Sequence, residues 1–76
     1  MNRIRRKQLS DIMYKLEELK ADIESLMEEE EEYRDNMPEN LQGSERYEKA
    51  DEACDNLNSA GDSLDEAIDY IMEAIQ

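Results

Sequence analysis

From Leu9 to Met37 an apolar residue returns at alternating steps of three and four, and no glycine or proline interrupts the chain before Pro38. Leu9, Ile12, Leu16, Leu19, Ile23, Leu26, Tyr33 and Met37 keep this rhythm, with Glu30 the one exception. The pattern is the a/d seam of a heptad helix, with Leu9 at position a. A seam of that length is unstable alone in water, so the rest of the chain has to supply its partner.

The second half fits that role. Tyr47, Ala50, Cys54, Leu57, Gly61, Leu64, Ile68, Ile71 and Ile75 repeat the three-four alternation. Between the two runs, Pro38 forbids a continuing helix and restricts Met37 before it. Gly43-Ser44 then offers a break and an N-cap. The expected fold is therefore all-α: an antiparallel two-helix hairpin, coiled-coil-like, in a single domain. Its first helix covers about residues 3–36, the connection 37–43 and the second helix about 44–75. The first helix starts at an Asn2 cap, or at Ser10-Asp11 if the basic turn before it frays.

Folding about residue 40 predicts layers in which Leu9 meets Ile71, Leu16 meets Leu64, Leu19 meets Gly61 and Tyr33 stacks on Tyr47. Leu41 is expected to tuck under the connection. Lys20 should reach Asp65 on one flank, Arg34 should reach Asp51, and Met13 should lie near Met72. Gly61 costs about 1 kcal/mol in a helix relative to alanine, which predicts close helix approach there. Ala53, Ala60, Ala67 and Ala74 form a column of small residues at the neighbouring g position. With Met13, Met27 and Met72 they make up the surface expected to pack helices together. Two helices alone leave part of this surface wet, so a homodimer closing into a four-helix bundle is expected.

Small size sharpens that expectation. A 76-residue chain rarely gains more than about 3–5 kcal/mol from one core, and such chains usually add a disulfide, a metal or self-association. One cysteine and no histidine leave neither an internal disulfide nor a Cys/His zinc site. Aligning Gly61 to the sixth position of a calcium loop puts Ala67 where a glutamate ligand belongs, so that pattern fails too. Without histidine the serines have no base, and Cys54 falls on the seam, where a thiol behaves as a small apolar group. The expectation is a non-enzymatic protein without cofactor or metal. No apolar run approaches the ~18 residues of a membrane span, and a lone thiol with no signal-type leader fits the cytoplasm.

Charge is the remaining signal. The chain carries −13, and setting aside Arg3, Arg5, Arg6 and Lys7 leaves −17 on residues 8–76. Acidity of that density repels nucleic acid and anionic lipid and attracts basic protein. Glu17, Glu24 and Glu31 share one heptad column of the first helix, and Glu48, Asp55, Asp62 and Asp69 share the corresponding column of the second. Spread along about 45–50 Å of helix, −17 is about one charge per 3 Å, against one per ~1.7 Å for duplex DNA. The four N-terminal cations oppose the helix macrodipole, which marks Arg3, Arg5 and Arg6, with the outward Tyr14 and Tyr70, as a second candidate patch at the open end.

The connection Asn36-Met37-Pro38-Glu39-Asn40-Leu41-Gln42, followed by Ser44-Glu45-Arg46, resembles that of small acidic helical proteins encoded by phages and integrated elements of Gram-positive bacteria. The resemblance covers most of the chain: a basic start, a Leu/Glu helix, this connection and an Ala/Leu-rich acidic helix. It carries no established activity, and implies an inhibitor of a host nucleic-acid-handling system. The function expected from the sequence is an acidic module engaging a basic, nucleic-acid-binding host protein. The alternative is a structural homodimeric bundle whose surface acids matter little.

Overall fold

A computed structural model describes residues 1–76. Two helices, α1 (Arg3–Asp35) and α2 (Glu45–Ala74), pack antiparallel into a rod measuring 59 × 15 × 12 Å between Cα atoms. Both start on side-chain caps. Asn2 Oδ1 accepts from the Arg5 N–H at 2.7 Å, so α1 begins ahead of the basic turn and not at Ser10. Ser44 Oγ accepts from the Tyr47 N–H at 3.3 Å while its hydroxyl donates to the Leu41 carbonyl. Each cap satisfies one of the free amides of a helix start.

Between the helices, Pro38 is extended (φ −57°, ψ 149°) and Glu39–Leu41 form a single 3-10 turn. Met37, not Leu41, is buried under this connection; Leu41 stays exposed on the turn. Pro38 accounts for the swap, because it fixes the chain direction immediately after Met37 and carries the next residues away from the helices.

The seam of α2 is the one its sequence predicts: Ala50, Cys54, Gly61 and Ile68 are buried, with Leu57, Leu64, Ile71 and Ile75 half-buried. That of α1 is rotated by one position. Leu9, Met13, Leu16, Lys20, Ile23, Met27, Glu30, Arg34 and Met37 face the partner helix, which is an a/e seam. The d residues expected inside are outside: Ile12 is 45%, Leu19 53%, Leu26 59% and Tyr33 48% exposed. The predicted layer of Leu19 on Gly61 therefore does not form, and Tyr33 lies outside the seam.

Two pairings accompany the rotation. Lys20 Nζ reaches the Asp65 carboxylate at 2.7 and 2.8 Å, and Arg34 Nη1 reaches Asp51 Oδ1 at 2.9 Å. With the e column of α1 turned inward, the aliphatic stems of Lys20 and Arg34 cover the seam beside Met13 and Met27. Gly61 does not mark a close approach. A Cβ built there meets nothing within 4 Å. The resulting core is thin: six of 76 residues are buried and no large side chain is fully enclosed.

Candidate functional site: two opposed broad faces

Heptad geometry decides what each side of the rod displays. Residues advance about 100° per position around a helix, so once α1 turns its a/e edge inward, its d column swings to one side and its b column to the other. Position d of α1 (Ile12, Leu19, Leu26, Tyr33) then shares a face with position g of α2 (Ala53, Ala60, Ala67, Ala74). Tyr33 and Arg46, which precedes the alanines in the g column, line one recess next to the connection, which fixes this side. Ala53, Ala60 and Ala67 are half-buried at the edge of the seam, and Ala74 is exposed. The expected helix-packing set thus divides. Met13 and Met27 belong to the seam within the chain, the alanines border the uncovered face, and Met72 is exposed on the opposite side.

The other broad face carries the b columns of both helices. Glu17, Glu24, Glu48, Asp55, Asp62 and Asp69 are exposed there and Glu31 is half-buried. Lys20, Glu24, Met27, Gly61, Asp62 and Asp65 line a shallow recess of 140 Å³ on this side. Lys20 is its one cation, bonded to Asp65 and 3.3 Å from Glu24. Those two carboxylates, Asp65 foremost, hold the ammonium above its ordinary pKa. Arg34 is likewise held up, first by its bond to Asp35 and then by Asp51. Two short bonds in a molecule of net charge −13 do not neutralise the face.

The end patch does not assemble as one surface. Arg3, Arg5, Arg6, Tyr14 and Tyr70 are all exposed, but positions f of α1 and c of α2 send the two tyrosines to opposite sides of the rod. None of the three arginines forms an ion pair, and Lys7 lies 3.6 Å from Asp11. None of Glu28 to Glu32 has a cationic partner either. Sequence reasoning missed the uncovered d column because the a/d pattern alone places it in the seam. The signal that could have found it is the e column, whose Met13, Lys20, Met27 and Arg34 are all long enough to cover a seam.

Cys54 is buried against α1, and burial pushes its thiol above the ordinary range, toward the unreactive protonated form. No group of three or more Cys, Asp or Glu is placed to hold a metal ion. No helix is long and apolar enough to cross a membrane. The chain matches no protein-family model, and neither a curated protein nor a solved structure is significantly similar to it.

Proposed function

We propose that this chain is a non-enzymatic protein-binding module that works as a homodimer. Two hairpins close through their apolar faces into a four-helix bundle, and the acidic faces turn outward to engage a basic protein. The observation that carries this reading is the segregation of the rod into one acidic and one uncovered apolar face. An apolar column running the length of a small protein is the signature of an interaction surface. Acidic columns on the reverse side favour a cationic partner and exclude nucleic acid itself.

The resemblance at the connection makes a nucleic-acid-handling host protein the kind of basic partner to look for. Mimicry of a nucleic acid in that partner's groove is supported by the charge spacing, since a dimer doubles the anions carried along one rod. A structural bundle without a basic partner is the competing reading.

A single comparison separates them. The tagged protein is used to capture partners from host lysate, beside a variant carrying Asp55→Asn, Asp62→Asn and Asp69→Asn. One basic protein retained by the parent, lost by the variant and released by a few hundred millimolar salt is expected, because screening weakens exposed charge contacts. Equal retention by both proteins would leave the acidic face without a role, and recovery of the chain alone would favour the structural bundle.

A further inference from the structure

The uncovered face has the dimensions of a dimer interface. A compact 9.0 kDa monomer exposes about 4,850 Å², whereas this chain exposes 5932 Å². The surplus is comparable to the ~800 Å² per partner that a stable complex hides. The footprint of the broad face, 59 by 15 Å, is of the same size.

Charge is distributed unevenly along the rod. Residues 23–62, the half nearest the connection, hold three cations and fourteen anions, or −11; the open half holds six cations and eight anions, or −2. The unpaired Arg3, Arg5 and Arg6 sit at one end, and the unpaired glutamate run leads into the other. Neither group can reach the other within one chain, because α1 separates them along its axis.

We infer that the apolar face is covered by a second copy running in the opposite direction, its twofold axis perpendicular to the rod, so that each basic end lies beside the partner's acidic connection. This rests on the self-association in the proposed function and adds the partner's orientation. The two cross-helix ion pairs each join residues whose numbers total 85. That register sets Leu19 within one residue of level with Ala67, and Leu26 within one residue of level with Ala60. One axis midway between Leu19 and Leu26 therefore also lies within one residue of the midpoint of Ala60 and Ala67. Leu19 then meets the partner's Leu26, Ile12 meets the partner's Tyr33, and alanine meets alanine on the second helix. At the rim Lys15 comes within one residue of level with the partner's Glu29, twice over by symmetry. The reverse stacking, with both connections at one end, would set −11 beside −11.

The test combines mass with distance. Sedimentation equilibrium at tens of micromolar gives the mass, and a spin label on Asn40→Cys in a Cys54→Ala background gives the separation of the connections. If Cys54→Ala fails to fold, the label goes on Asn40→Cys with Cys54 kept, whose burial withholds it from the reagent. A two-chain mass with labels separated by a distance approaching the 59 Å rod length is the expected result. A two-chain mass with labels within about 20 Å, the spacing of neighbouring helices plus linkers, would overturn the orientation and leave self-association standing. A one-chain mass would overturn both.

Discussion

The two broad faces of this hairpin come from the same two helices and the same heptad repeat, yet they solve different problems. On the acidic face, long side chains from the e column of α1 cross to aspartates on α2, so the seam beneath is covered by Lys20, Met27 and Arg34. On the apolar face nothing crosses. The d column stands beside alanines too short to cover it, and Ile12, Leu19, Leu26 and Tyr33 remain about half exposed. The lesson is that a heptad seam in a two-helix hairpin has two edges, and the edge with longer side chains can be closed within the chain. The edge with shorter ones stays open.

Substitutions can break that contrast. The largest effect is expected from Leu26→Glu, which puts a charge at the centre of the apolar face. A buried leucine contributes about 1.5–3 kcal/mol and the substitution occurs twice in a dimer, so sedimentation should show single chains with α-helical content retained. Asp62→Asn on the opposite face should leave the mass unchanged. Dissociation by both would mean that the faces are not distinct.

Next comes the rotated seam itself. Met13→Ala should lower the unfolding free energy by about 2 kcal/mol or more, read by denaturant titration under conditions where the chain is monomeric. Ile12→Ala, one residue away, should then cost little. Equal losses would restore an a/d seam to α1. Gly61→Ala should stabilise the fold by about 1 kcal/mol, because the added methyl meets open space in a helix without positive φ. Destabilisation would instead show that α1 packs tightly on Gly61.

Smaller effects sharpen the picture. The proposed twofold axis would bring Asp22 of each copy close to its mate, so Asp22→Asn should tighten the dimer by a few tenths of a kcal/mol; in the reverse stacking it should do nothing. Cys54 supplies a pH signature. Its folded thiol titrates above its unfolded value, so its contribution to stability is complete below the unfolded pKa of about 8.5. It is lost as the pH rises through the folded pKa. Cys54→Ala should abolish that alkaline component, and thiol reagents at neutral pH should modify Cys54 at the rate of unfolding.

Most of the fold is legible in the residue order. Asn2 and Ser44 cap where polar residues precede helical patterns, Pro38 stops α1, and the two cross-helix ion pairs follow from the spacing of Lys20, Arg34, Asp51 and Asp65. The acidic columns are legible for the same reason, since exposed charges on a helix stay wherever 3.6 residues per turn put them. The apolar face is not. Whether a leucine at position d points in or out depends on a rotation of a few tens of degrees about the helix axis. Such a rotation changes no helical hydrogen bond, so local preferences do not register it.

The sequence by itself therefore determined two helices, their limits, their antiparallel pairing and the side on which the acids gather, because each depends on near neighbours or on helical periodicity. Only the tertiary structure decided which edge of the seam closes. That choice depends on groups distant in sequence: the e column, with Lys20 and Arg34 bonded across to α2, lies inward, and Ile12, Leu19, Leu26 and Tyr33 are uncovered.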